Sequence, residues 1–335
     1  MSDVVILGAS GFAGAELLRL CAAHPRLNPV RLFGHSQAGS ALGAVHPHLA
    51  LAYPNAVIES FDPALLDGID LIFAALPHGH SQRIAREIIQ RDIAFVDLGA
   101  DFRLRDPAVY EHWYGEAHSA PELLDRFVYG IPELNRAAIR ATKCVAAAGC
   151  YPTSAILALK PLVDAGLIDP ATIIVDAVSG VSGAGKGLQD NIHFNAVAEN
   201  FSAYGLLDHR HTAEMDASLG ASVLFTPHLA PINRGILATC YAQATGPCDP
   251  LQALKDAYAN EPFVYVSERA PSTKWTLGSN AVHLTARYDA RTGRVLAIAT
   301  LDNLVKGAAG QMIQCANLML GFDEEAGLAK CGVYP

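Results

Sequence analysis

Of the seven cysteines in the chain, one stands where a thiol can react. In Val145-Ala-Ala-Ala-Gly149-Cys150-Tyr-Pro152-Thr, a small apolar strand runs into a glycine turn, and Pro152 marks the first turn of a helix, where a missing N–H costs nothing. Cys150 therefore falls at a helix N-terminus. Unpaired N–H groups and the positive end of the helix dipole stabilise a thiolate there, lowering the thiol pKa from its free value of about 8.5. Such a nucleophile needs an acid/base partner, and two places offer one: His209-Arg-His211-Thr-Ala-Glu214, ahead of a helical stretch over 213–219, and His228 in Thr226-Pro-His-Leu. The first sets a carboxylate near an imidazole, a pairing that tunes histidine for proton transfer, although Glu214 capping its helix is the plainer reading. His209 and His211 stay open as alternatives for the ring that faces the thiol.

A second group of residues is suited to anions. Gly8-Ala-Ser10-Gly11-Phe12-Ala-Gly14 follows directly on the strand 3–7 and opens a helix over 15–23, so strand, glycine loop and helix arrive in the order that binds a dinucleotide pyrophosphate. The next strand, 29–34, ends at His35-Ser36-Gln37, neutral donors with no carboxylate to repel a 2′-phosphate, which favours NADP over NAD. Pro77-His-Gly-His-Ser81 follows the strand 70–76 and is expected to face the cofactor; its two histidines are too few for a metal site, and none is expected. Arg103 lies past the end of the strand 94–98, where a guanidinium can take phosphate or carboxylate through two hydrogen bonds. The glycine-rich Ser179-Gly-Val-Ser182-Gly183-Ala-Gly-Lys186 offers N–H groups to a nicotinamide amide or a phosphate, and Arg234 is a further anion clamp.

The elements that would position these groups fall into two kinds. Strands and helices alternate up to residue 148, the pattern of a Rossmann-type doubly wound parallel sheet. Beyond 165, strands follow one another at 172–178, 222–226, 235–242, 263–267, 281–288 and 294–300, the last two joined by the hairpin Asp289-Ala-Arg-Thr-Gly293. They predict a mixed or antiparallel sheet with helices on one face, an α+β domain whose other face carries a subunit interface. The apolar segment 303–321 predicts a buried helix returning to the first domain. The expected division is 1–149 with about 304–335 for the cofactor, and 150–303 for catalysis, substrate and oligomerisation. A hydrophobic content of 51%, a charged content of 17% and a net charge of -9 without a basic block exclude a disordered chain and a nucleic-acid groove. An odd number of cysteines without a CxxC pair predicts free thiols in a reducing compartment. No basic leader or apolar run of ~20 residues is present, so a cytoplasmic protein away from membranes is expected.

Taken together, Gly8 to Gly14, Gly149-Cys-Tyr-Pro-Thr153, Ser179 to Gly185, His209 to Glu214, Phe225-Thr-Pro-His-Leu229, Arg234-Gly-Ile236 and Asp302-Asn303-Leu-Val-Lys-Gly307 resemble the N-acetyl-γ-glutamyl-phosphate reductases. These are arginine-biosynthesis enzymes related to aspartate-semialdehyde dehydrogenase, and the resemblance runs over nearly the whole chain. It implies that Cys150 attacks an acyl phosphate to give a thioester, which NADPH reduces to an aldehyde. It carries the acid/base role to His209, with Glu214 as orienting carboxylate and His211 as runner-up. It places Asn303 with the cofactor, Arg103, Lys186 and Arg234 on the substrate's phosphate and carboxylate, and the chain in a homodimer or homotetramer. Gly149 stands where aspartate-semialdehyde dehydrogenases usually have Asn, and an aminoadipyl-phosphate reductase would differ only in pocket length. An NADP-sensing regulator is the non-enzymatic rival, and it would not be expected to keep both thiol and histidine.

Overall fold

Val4 to Leu7 are buried along β1 (Ser2–Leu7), as in a strand covered on both faces. This computed structural model describes residues 1–335, which divide into two units, 1–148 with 308–328 and 149–307 with 329–335. In the first unit, β1 is followed by α1 (Phe12–Ala23), β2 (Leu27–Phe33), β3 (Leu71–Ala74), α2 (Ser81–Gln90), β4 (Ala94–Asp97), α3 (Pro107–Tyr114), β5 (Val128–Gly130), α4 (Pro132–Ala141) and β6 (Cys144–Ala147). All pairings are parallel, in the order β2-β1-β3-β4-β6-β5. The order turns back at β1 and β3, so the turns leaving their carboxyl ends face the position where such sheets bind ligands.

The segment predicted as one helix over 303–321 is broken into two. A π-helical turn, Val305–Ala309, precedes the helix Gly310–Met319. That helix belongs to the first unit, where it packs on α1, α4, β4 and β6, and buried Asn317 Oδ1 lies 3.0 Å from His24 Nε2. The tail 329–335, expected with the first domain, instead belongs to the second unit. Asn280 N–H donates to Ala329 O and Val333 N–H to Leu277 O.

The second unit begins with α5 (Cys150–Asp164), which is buried without interruption from Tyr151 to Leu159, the property of a helix at the centre of a core. Pro161 has no N–H for the Leu157 carbonyl one turn back, and the buried Tyr258 hydroxyl donates to that carbonyl instead, at 2.7 Å. There follow β7 (Ile174–Gly180), β8 (Ser202–Ala203), α6 (His211–Leu219), β9 (Leu224–Ala230), β10 (Ile236–Gln243), α7 (Pro250–Ala257), β11 (Val264–Val266), β12 (Val282–Asp289) and β13 (Arg294–Leu301). They form one mixed sheet in the order β11-β12-β13-β10-β7-β9-β8, with β7–β9 and β11–β12 parallel. Burial alternates strictly along β10. Ile236, Ala238, Cys240 and Ala242 face the helices, and Leu237, Thr239, Tyr241 and Gln243 are left half-buried on the other side.

Candidate active site

Cys150 is the first residue of α5 and is half-buried. Its N-cap, Gly149, carries no side chain to satisfy the first-turn N–H groups, so they stay available to a charge at the cysteine. All seven cysteines are free. Burial pushes the Cys21 thiol up to about 12 and Cys144 to about 11, marking them as inert core residues. Two long-range contacts fix the cysteine turn. Glu214, fully buried on α6, accepts the Gly149 N–H at Oε2, 3.0 Å away. On the other side stands Gly307, where a Cβ would lie 2.7 Å from the Cys150 Cβ, so no larger residue fits beside the nucleophile.

A cavity of about 440 Å³ opens at Cys150, lined also by Tyr151, Ser179, Gly183, Gln189, Asn191, Ile192, Tyr204, His209, Arg210 and His211. Its hydroxyls form a chain: Tyr204 donates to Tyr151, and Tyr151 to the His228 carbonyl, each at 3.1 Å. Burial pushes Tyr204 up to about 12 and Tyr151 higher still, so both remain hydroxyls. Burial lowers His209 to about 4, with the Asp208 carboxylate opposing and the Arg210 guanidinium reinforcing the shift, so its ring is neutral. His209 Nδ1 accepts the His211 N–H at 3.2 Å, which puts the ring proton on Nε2 and makes that nitrogen a donor. The expected pairing of Glu214 with His209 is not formed. The carboxylate stands 3.9 Å from His211 Nε2, because residues three apart on α6 share a face.

None of the three cations expected at the substrate is in the lining of this cavity. Arg103, in the first unit, donates to the Leu98 carbonyl at 2.6 Å. Arg234 lies 3.6 Å from buried Asp302, and neither it nor exposed Lys186 lines the cavity. The cation that does is Arg210, inside the His-Arg-His motif, where the sequence could have shown it. Ser182 and Asn303 are joined, Asn303 Nδ2 donating to Ser182 Oγ at 2.9 Å while its Oδ1 accepts the Gly235 N–H at 2.7 Å.

The first unit holds the other cofactor-type residues. Gly8 has φ +82°, and a Cβ there would lie 2.2 Å from Ala75 O; one on Gly14 would lie 2.3 Å from Gly8 O. Both glycines let the turn between β1 and α1 pack on its neighbours. Gly11 is different: its Cβ would meet only Gly8 O, at 3.5 Å, and as N-cap it leaves the start of α1 without a side-chain partner. The result is a cradle of N–H groups suited to a diphosphate. Ser10 Oγ lies 3.2 Å from a Cβ built on Gly34 at the end of β2, so the turn meets the strand end that leads to exposed Ser36. Phe12 is the first, partly exposed residue of α1, and Pro77 leaves β3 toward α2.

A parallel sheet ending in this cradle, and a thiol at a helix start beside a neutral histidine, define an oxidoreductase of the semialdehyde dehydrogenase class. Residues 3–142 match the family model described as semialdehyde dehydrogenase, NAD binding domain, and 150–303 match its dimerisation domain. The chain belongs to the N-acetyl-gamma-glutamyl-phosphate reductase family. It is 49% identical to the protein of that name from Desulforudis audaxviator, over all of both chains, and 46% identical to that from Rhodospirillum rubrum, over 99% of each. Among solved structures, its fold is similar to aspartate semialdehyde dehydrogenase II from Vibrio cholerae (17% identity, 96% and 98% of the two chains, TM-score 0.71). It is also similar to the Candida albicans aspartate semialdehyde dehydrogenase with NADP (14% identity, 96% and 98%, TM-score 0.72).

Proposed function

We propose that the chain reduces N-acetyl-L-glutamyl 5-phosphate to N-acetyl-L-glutamate 5-semialdehyde with NADPH, in arginine biosynthesis and in the cytoplasm. The observation that carries this reading is one cavity containing Cys150 at the start of α5, His209 with its proton on Nε2, and Arg210. The Cys150 thiolate, stabilised by the uncapped N-terminus of α5, attacks the acyl carbon. N–H groups of the same turn hold the tetrahedral oxyanion, and phosphate leaves to give a thioester. NADPH, held by Gly8, Ser10, Gly11, Phe12 and Gly14, with Ser36 at the 2′-phosphate and Pro77 along its edge, would supply the hydride equivalent. The second tetrahedral oxyanion then collapses to the aldehyde and expels the Cys150 thiolate, to which the neutral His209 donates a hydrogen bond through Nε2–H. Glu214 acts through Gly149 and His211, holding the cysteine turn and the histidine loop in register.

The first unit serves the cofactor and residues 150–303 serve the substrate. The half-buried face of the second sheet, with Val178, Leu237, Tyr241, Leu296 and Ile298, supports assembly of a homodimer or homotetramer through it. The reverse reaction tests the reading. Purified protein with NADP, phosphate and N-acetylglutamate semialdehyde should produce NADPH absorbance only when phosphate is present. Preference for aspartate semialdehyde in the same assay would refute it.

A further inference from the structure

The wall of the Cys150 cavity is uneven in its chemistry. It has a cation, Arg210, but no aspartate or glutamate. Asp190 and Asp208, next to lining residues in sequence, are exposed and outside the wall, and Glu214 is buried with its Oε2 on the Gly149 N–H. A substrate carrying a free α-ammonium would meet a guanidinium and find no counter-charge, an arrangement that costs binding once water is excluded. The wall therefore suits an uncharged α-nitrogen better than an ammonium.

The three hydroxyls of the wall are already committed. Tyr204 donates to Tyr151, Tyr151 to the His228 carbonyl, and Ser179 Oγ to the Gly180 carbonyl at 3.0 Å. Apart from the His209 and His211 rings and Arg210, the remaining polar groups are neighbours in sequence. Gln189 spends only its Nε2, on the Ala184 carbonyl at 3.3 Å, which leaves Oε1 open, and the Asn191 amide has no hydrogen-bond partner in the chain. Ile192, half-buried, is the aliphatic residue beside them. One open acceptor, one open amide and one aliphatic contact form the complement of an acetamido group, which has one N–H, one carbonyl and one methyl.

We propose that Gln189, Asn191 and Ile192 form the subsite that reads the acylated α-nitrogen of the substrate. Gln189 Oε1 accepts its N–H, the Asn191 amide donates to its carbonyl, and Ile192 covers the methyl. Arg210 holds the adjacent carboxylate. This subsite rests on the reductase reading above and adds to it the basis of selectivity. Gln189 and Asn191 are exposed, so a ligand lacking the acetamido group forgoes one hydrogen bond with each, which sets a moderate discrimination.

The test compares two aldehydes in the reverse direction with phosphate and NADP: N-acetylglutamate 5-semialdehyde, and 5-oxopentanoate, which is the same chain without the acetamido group. The readout is the ratio of their kcat/KM values. Asn191→Leu and Gln189→Leu should each lower that ratio about tenfold, the loss of one hydrogen bond. Thermal unfolding and iodoacetamide labelling of Cys150 verify that each variant is folded, and Asn191→Ala carries the same expectation should the leucine variant aggregate. A ratio unchanged in folded variants, with a wild type that prefers the acetylated aldehyde, overturns the subsite and leaves the reductase reading standing. A wild type that turns over neither aldehyde overturns both.

Discussion

Two helices that start without a side-chain cap, α1 and α5, are proposed to serve two different charges. At α1 the N-cap is Gly11, with Gly8 and Gly14 letting backbone pack on backbone, and the cradle is left open over Gly11. At α5 the N-cap is Gly149, but the next residue carries the charge itself, and the turn is pinned by the Glu214 carboxylate and closed over by Gly307. The physical resource is the same, unpaired N–H groups at the positive end of a dipole. The first site needs room for a ligand's phosphates. The second needs a fixed position for one sulfur, so long-range contacts replace local glycines.

The difference predicts that the two termini can be disabled separately. Cys150→Ser should lower turnover by about a thousandfold or more while leaving NADPH binding intact by fluorescence titration. A parallel loss of NADPH affinity would mean that the two turns do not act independently. Next in size, His209→Asn should slow turnover by about 100- to 10,000-fold, and His211→Asn by much less, because His209 presents a donor Nε2 to the cavity while His211 Nε2 lies 3.9 Å from the Glu214 carboxylate. Similar rates for the two variants would move the acid/base role to the His211–Glu214 pair. At the other terminus, Gly11→Asp puts a carboxylate where the diphosphate is expected. It should weaken NADPH binding about tenfold, with the rate of Cys150 alkylation by iodoacetamide as in the wild type. Unaltered affinity would remove the diphosphate from that cradle.

These two termini also show how far a sequence can be read. The α1 turn was legible because every part of it is local: an apolar strand, spaced glycines and a helix in one stretch of chain. The Cys150 turn was legible for the same reason as far as Pro152. What was not legible is whatever arrives from elsewhere. Nothing in Gly307 announces that it faces Cys150 across 157 positions of sequence, nor in Glu214 that its carboxylate caps the Gly149 N–H in preference to orienting His209. Arg210 lies inside a motif whose two histidines are the more evident acid/base residues. Gln189 and Asn191 sit in a loop without periodicity, and only the folded chain brings them to the cavity. The strands of the second sheet were legible by alternation, since a half-covered sheet writes its two faces into the sequence.

A smaller effect separates the two units by the charge each one buries. In the first, Asp97 at the end of β4 accepts Ser81 Oγ at 2.7 Å and Gly99 N–H at 2.8 Å, both at Oδ1, while Oδ2 has no partner. Burial raises it to about 7, with Asp101 reinforcing and Arg103 opposing. In the second, burial lowers His209 to about 4. A raised folded-state pKa gives stability that is complete below the unfolded value near 3.8 and lost as the pH rises through about 7. A histidine lowered from 6.5 behaves oppositely: its contribution is complete above 6.5 and is lost as the pH falls toward about 4. The two slopes oppose each other over nearly the same window, so the wild type should show a flatter profile than either variant. Relative to the wild type, Asp97→Asn should gain melting temperature as the pH rises from 4 to 7, and His209→Asn should gain it as the pH falls from 6.5 to 4. Scanning calorimetry at half-unit pH steps resolves both signs. Differences of the same sign, or differences independent of pH, would show that these two groups are not the ones titrating.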